Sequence, residues 1–447
     1  MSVRAYQPID LPRDARAFMQ FRPEVAATID RLTAEAEREH RWECSQDHLY
    51  NHKDPAFWAY WIHKTAHPIQ RAMRDRGVEE NLQTFKRTKF DLCPAGFKSE
   101  RDWTFSAVGD LMCTRGLERS KNQLYAGIKD LVFGVDIAYA NLESTLTPGR
   151  PAPLAFSTDE SPTINLTLEQ YETLISHDGR RFDVVQLANN HILDCGEEGV
   201  KETLCRLVDD GIAQVGVNET KEASARPRIT EHQGLRIGWV AHTFSVNSQP
   251  FPTEKPWIVN LTPFHVVREP STALIESQIR ACRNAACDLV FVALHWGLEF
   301  ECYPHPDQLI WAHRFADVGA DLVLGHHPHV AQPVEIYRTA DGRQVPILYS
   351  LGNLTPVFSH PATVLSLVAR MRLASGLQNS SRRTLICELA LTPIAIVSAQ
   401  LAGGEVLQLR RASELVVDTP PGSMRDYAQH IALYADLALG RDWRRDH

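Results

Sequence analysis

From Thr104 onward, short apolar runs alternate with amphipathic stretches, a pattern that predicts an α/β fold. TFSAVGD, DIAYANLE, FDVVQLANN, LRIGWVAHT, DLVFVALHW and DLVLGHH read as strands. Between them, EEGVKETLCRLVDDG, TALIESQIRACRNAAC and PDQLIWAHRFADVGA repeat apolar residues at helical spacing. After VPILYSLGNL, the segments RRTLICELALT, PIAIVSAQLA and EVLQLRR predict further strands. A last helix around MRDYAQHIALYADLALG ends in a basic tail, RDWRRDH, expected to be solvated. Residues 1–100 differ in texture: PEVAATIDRLTAEAEREH is a long polar helical pattern, followed by the aromatic cluster Phe57, Trp58, Tyr60 and Trp61. The chain therefore divides into a helical N-terminal extension (1–100) and an α/β domain (101–447). Aromatic spacing of this kind reports burial more often than recognition, so the extension reads as a packing appendage rather than a substrate-recruiting module.

Composition narrows the class. The 447 residues are 44% hydrophobic, enough for one large core and an accessory region. Nine cysteines form no CxxC pair and no disulfide-like framework, which fits a reducing compartment. A net charge of -8 without a Lys/Arg stripe argues against a nucleic-acid partner. The opening MSVRAYQPIDLPRDARAF breaks every apolar run with a charge or a proline, and no later run is long enough to span a bilayer. The expectation is a cytoplasmic protein with no membrane partner; oligomeric state has no signature in the sequence.

Ligand-type residues cluster where strands end, and in open α/β sheets sites lie beyond the carboxyl ends of strands. Asp110 ends AVGD and reads as a turn residue or a ligand. Glu143 ends ANLE and reads as a cap or a ligand. In QLANNHILDCG, Asn189, Asn190, His191 and Asp194 crowd together, a group costly to bury without partners. His191 and Asp194 make either an imidazole oriented by a carboxylate or an Asx turn with a capping histidine. His295 ends VFVALH as a core histidine or a ligand. In LGHHPHV, His327 and His329 flank a proline; in extended backbone both would share one face and could grip one ion. Asp110, Glu143, Asn190, His295, His327 and His329 together offer oxygen and nitrogen donors suited to a divalent ion. Mn²⁺, Fe²⁺, Mg²⁺ or Ca²⁺ fit, as does Zn²⁺, although a structural zinc would draw on cysteine thiolates.

The order GD, NLE, ANNH, HWG, GHHPHV and YSLGN, from about Phe105 to Leu354, resembles the CapA family of poly-γ-glutamate capsule-synthesis proteins, relatives of the calcineurin-like metallophosphatases. The resemblance implies a calcineurin-like β-sandwich flanked by helices, with a metal site on the strand-end loops. It places Asp110 at the first metal aspartate, Glu143 near the bridging carboxylate, Asn190 at the ligand amide and His191 at the catalytic histidine. His295, His327 and His329 complete the site, and His326 stays outside it. Two departures stand out. Met112 occupies the position where metallophosphatases carry a histidine two residues after the aspartate, so one metal is in doubt. Capsule-synthesis members also typically carry a membrane anchor, and none is visible here.

One branch of the family resembles intracellular tailoring enzymes of ribosomal peptides, including lasso-peptide epimerases. That likeness implies a metal-dependent peptide epimerase acting on a precursor peptide. His191 oriented by Asp194 and His295 partnered by Asp110 would be its two acid/base groups, and one metal its Lewis acid. The alternatives are a phosphoesterase in which His191 protonates the leaving group, and a non-catalytic binder of an acidic capsule polymer.

Overall fold

The computed structural model describes residues 6–150, 162–247, 249–419 and 422–445. Six strands carry the candidate site: β1 (Lys98–Leu111), β2 (Ile137–Leu142), β3 (Val184–Gln186), β4 (Leu235–Thr243), β5 (Leu289–His295) and β6 (Leu322–His326). One sheet runs in the order Tyr6–Gln7, Ser381–Leu401, Leu365–Gln378, β1, β2, β3 and Ala213–Val215; the other runs Arg228–His232, β4, β5, β6, Gln344–Leu348 and Val334–Arg338. β1, β2 and β3 are parallel, and so are β4, β5 and β6.

Period-two alternation explains why such strands are apolar throughout. Along β5, Phe291 and Ala293 enter the core between the sheets, whereas Val290, Val292 and Leu294 enter a second core on the outer face. Between the sheets Tyr139 stacks on Trp239 at 5.3 Å, and Phe105 meets Phe291 edge-on at 5.3 Å. On the outer face lie the helices Ala273–Asn284 and Pro306–Val318. This is the α/β fold that the alternation predicts, in the form of the helix-flanked sandwich that the resemblance implies. No helix among the described residues is long and apolar enough to cross a membrane.

Register aligns the strand ends. In the first sheet Asn353, Asp110, Asn141 and Gln186 form one row across neighbouring strands. In the second, Thr243, His295 and His326 form another. Two glycines permit these rows. A Cβ on Gly109 would lie 1.9 Å from the Gly352 carbonyl oxygen, and one on Gly325 would lie 1.9 Å from that of Tyr349. Backbone approach this close leaves no room for a side chain.

Two expectations change. Ser381–Leu401 is one continuous strand rather than two segments. Pro393 is tolerated because it falls between the partners on one side of that strand, which pair with it as far as Ala390 and again from Ile394. The RDWRRDH tail is not simply solvated. Trp443 is buried with its indole donating to Asp436 at 2.9 Å, and Arg444 pairs with the same carboxylate at 2.8 Å. Burying the indole outweighs leaving the segment free; residues 446–447 lie outside the described residues.

The first 100 residues hold the helices α1 (Pro23–Arg38), α2 (Pro55–Ala66) and α3 (Val78–Gln83). Tyr6–Gln7 and Lys89–Asp91 also pair with Ser381–Leu401, and Phe57, Trp58 and Trp61 of α2 share the outer core with Val292 and Leu294. α2 is further tied to the loop after β5 by a buried ion pair, Lys64 Nζ to Glu301 Oε1 at 2.8 Å, each side chain only 1% exposed. The Ile69 N–H donates to the Phe300 carbonyl and the Ile69 carbonyl accepts from Cys302 N–H.

Removing one partner of a buried pair strands the other charge. Lys64→Ala is expected to cost roughly 3–5 kcal/mol, read as a lower melting temperature, while the apolar pair Lys64→Met with Glu301→Leu recovers most of the loss. Burial works to raise the Glu301 carboxyl, but Lys64 and His48 outweigh it and hold it below its ordinary value. This contribution is therefore complete above the unfolded carboxyl value, about 4.3, and is lost as pH falls through the lower folded value. The melting temperature of wild type should fall more steeply with acidification than that of the apolar double variant.

Candidate metal centre

The two register rows bring Asp110, Asn141, His295 and His326 to one edge, and the loops beyond supply the rest. Asp110 is fully buried. Its Oδ1 accepts from the Asn141 amide and meets His326 Nδ1, both at 2.8 Å, and its Oδ2 accepts from the His327 backbone N–H at 3.2 Å. Burial works to raise this carboxyl, but His326, His329 and His295 outweigh it and hold it well below the carboxylate range. His329 Nδ1 lies 2.8 Å from Asn353 Oδ1 and 3.5 Å from Asp110 Oδ2, and its Nε2 lies 3.8 Å from Glu143 Oε1. His295 Nε2 sits 2.8 Å from Asn190 Oδ1 and 3.3 Å from Glu143 Oε1.

Asn189 makes an Asx turn, its Oδ1 accepting from the His191 N–H at 3.1 Å. The turn presents Asn190 and His191 side by side. His191 Nδ1 lies 2.7 Å from Asp194 Oδ2, and the following helix begins only at Gly196 with Cys195 before it, so His191 does not cap it. Burial works to lower the His191 imidazole; the Asp194 carboxylate beside it and Glu143 lift it above its ordinary value.

His327 and His329 are not in extended backbone, as alternation along a strand would have it. Their φ angles are 97° and 57°, left-handed conformations on either side of Pro328. Such positions cost about 1–3 kcal/mol each and persist where surrounding structure imposes them. They still bring the two rings together, with centroids 5.6 Å apart.

Three sets of donor atoms lie within 4.8 Å of one another among the described residues: Asp110, Glu143 and His329; Glu143, His295 and His327; and Glu299, His327 and His329. Asn190 joins the second set through its contact with His295. Glu143 belongs to the first two. Met112 is buried with its backbone N–H donating to Thr355, and Asp110, Glu143 and His329 form a donor set without it.

The residues fit a cation. Both Glu143 oxygens and His327 Nδ1 are buried without a hydrogen-bond partner. A carboxylate buried in that way needs a positive charge beside it. Burial pushes the Glu143 carboxyl up to about 8. Burial and neighbouring imidazoles keep His327 well below its ordinary value, and burial, opposed by Asp110, does the same for His295, so both rings are neutral, the form that ligates. His329 goes the other way. Burial opposes its charge, but Glu143 and Asp110 raise it to about 10. These oxygen and nitrogen donors, with no thiolate among them, suit a divalent cation.

The structure thus gathers all six predicted ligands and the His191–Asp194 pair in one buried cluster at the strand ends. It does not pair His295 with Asp110, which is taken by His326 and Asn141; Asn190 is the partner of His295. Glu299, Tyr50, Asn141 and Asn353 were not singled out in the sequence. Asn141 could have been found, since it lies two residues before Glu143 and period two puts both on one side. Tyr50 carries no local signal at all.

Because the site holds protons where a cation would sit, binding must displace them. Mn²⁺ titration near neutral pH should release protons, chiefly from His329 and Glu143, and affinity should rise with pH through about 8, where Glu143 loses its own, and less steeply on to about 10, where His329 does. Calorimetry in two buffers of different ionisation enthalpy counts those protons. Glu143→Gln should abolish the release together with high-affinity binding.

The chain is similar to several known proteins. The chain is 27% identical over 268 residues to the capsule biosynthesis protein CapA of Bacillus anthracis, covering 59% of this chain and 62% of that protein. It is 28% identical over 254 residues to the PGA biosynthesis protein CapA of Bacillus subtilis, covering 56% and 62%. A probable polyglutamine synthesis accessory protein of Mycobacterium tuberculosis is 28% identical over 233 residues, covering 49% and 55%. The chain thus spans about three fifths of the length of these relatives. Among solved structures, a hypothetical protein from Thermus thermophilus aligns with 65% of this chain and 98% of its own at 14% identity and a TM-score of 0.35. The calcineurin-like phosphoesterase YfkN of Bacillus subtilis aligns with 75% and 97% at 11% identity and a TM-score of 0.32. Residues 104–356 match the model of the bacterial capsule synthesis protein PGA_cap, and the chain belongs to that family.

Proposed function

We propose that this chain is a metal-dependent phosphoesterase, and the observation that carries the reading is Glu143, whose carboxylate is common to two donor sets. Divalent cations held there would polarise a phosphoryl oxygen and steady charge on the attacking and leaving oxygens. His191 is the proton donor. Asp194 occupies its Nδ1, which leaves Nε2 for transfer, and the same carboxylate favours the protonated ring. Asn190 and His295 hold each other in place, and Asn141 fixes Asp110. The set of Asp110, Glu143 and His329 stands without a contribution from position 112, which weakens the case for a reaction that needs one metal alone.

A second reading, a peptide epimerase acting on a ribosomal precursor peptide, draws on the opposite shifts of His191 and His295. One ring is pushed toward its acid form and the other toward its base form, the arrangement two-base proton transfer requires. Against it, His295 Nε2 is engaged by Asn190.

Aryl phosphate mono- and diesters with added Mn²⁺ test the first reading. Wild type should turn over, and His191→Ala should lose about 10²–10⁴-fold in kcat with its metal content unchanged. No hydrolysis by wild type, together with deuterium entering a Cα position when a precursor peptide is incubated in D₂O, would transfer the assignment to the epimerase.

A further inference from the structure

A histidine that ligates through one ring nitrogen keeps a proton on the other, and the group accepting that proton fixes the tautomer and the plane of the ring. The two nitrogens of His327 are provided for differently. Nδ1 is buried without a hydrogen-bond partner. Nε2 lies 2.6 Å from the hydroxyl of Tyr50, a residue 277 positions earlier in the chain.

Tyr50 is held from several sides. Its backbone N–H donates to the His265 carbonyl at 2.8 Å, and its ring packs on Phe244 at 4.6 Å and Phe57 at 5.3 Å. Its hydroxyl is also 2.5 Å from Glu299 Oε2, and the Trp61 indole N–H donates to that same oxygen at 2.7 Å. Glu299 and His327 Nε2 are themselves 4.0 Å apart, beyond a hydrogen bond, so the Tyr50 oxygen is the bridge between them.

Proton counting then assigns the bonds. A carboxylate only accepts, and a phenol has one proton to give. Tyr50 donates it to Glu299, so its oxygen accepts from His327, and Nε2 must carry the hydrogen. A neutral imidazole with Nε2–H has its lone pair on Nδ1, the nitrogen left without a partner. We infer that Trp61, Glu299 and Tyr50 form a relay, two of its three members from the N-terminal extension, that fixes His327 as the Nε2–H tautomer and aims Nδ1 at the cation.

Tyr50 is thus a positioning residue that acts through His327. The inference rests on the cation reading of the strand-end site and is independent of which reaction the site performs. It gives the extension a role in the chemistry that packing alone would not.

The test compares wild type with Tyr50→Phe, which removes the hydroxyl and keeps the ring. Mn²⁺ affinity, followed by loss of the free-ion EPR signal, should fall about 10–100-fold, while the melting temperatures of the metal-free proteins stay close. With ¹⁵N-labelled histidine, long-range ¹H–¹⁵N spectra of the metal-free wild type should show His327, assigned by its loss in His327→Gln, as the Nε2–H form. In Tyr50→Phe that resonance should move toward a tautomer mixture. Glu299→Gln, a weaker acceptor of the same shape, is the second variant. It should lose affinity in the same direction, and the double variant should lose less than the two single losses combined. Equal Mn²⁺ affinity in wild type and Tyr50→Phe, or an Nδ1–H form in wild type, would overturn the relay while leaving the metal centre standing. A wild type that takes up no Mn²⁺ would overturn the metal centre itself, and the relay with it.

Discussion

Two carboxylates removed from water at the same place set the terms for everything around them. Asp110 and Glu143 are both fully buried at the ends of parallel strands, and an ion in a low-dielectric interior must be met by charge or by several hydrogen bonds. Asp110 is met within the protein by His326, Asn141 and a backbone amide. Glu143 is not, and so its surroundings carry the imbalance. His329 holds a proton tightly, Glu143 holds on to its own, and His295 and His327 stay neutral. Left-handed backbone at His327 and His329 accompanies the placement of both rings among these donors.

Positions along single strands were legible in the sequence. An apolar run ending in Asp, Glu or His announces both a buried strand and the residue leaving its carboxyl end, and parallel pairing gathers such ends at one edge. That logic places Asp110, Glu143, Asn190, His191, His295, His327 and His329 at one edge. It works because burial and period two are local properties of the chain.

What the sequence hid depends on distant parts of the chain meeting. Nothing near Tyr50 marks it as the neighbour of His327, because that contact is set by how α2 docks on the outer face of the second sheet. The partner of His295 was misjudged for a related reason: strand-end residues can be assigned to an edge, but which side chain reaches which depends on the angle between sheets. The backbone at LGHHPHV departs from a strand because the register row ends at His326. Burial of Trp443 likewise requires the C-terminal helix to pass where its last turn can receive an indole.

The sheet order carries a consequence for where this protein can be divided. The family match ends at residue 356, yet on one side β1 is paired along most of its length by Leu365–Gln378, and that strand by Ser381–Leu401. A polypeptide ending with the match would retain the predicted ligands and lose the strands that cover the flank of β1. Its exposed N–H and C=O groups would recruit other chains, and the product would be aggregate before it could be assayed. The matched segment delimits a chemistry; the cooperative unit that makes the chemistry possible is longer at both ends.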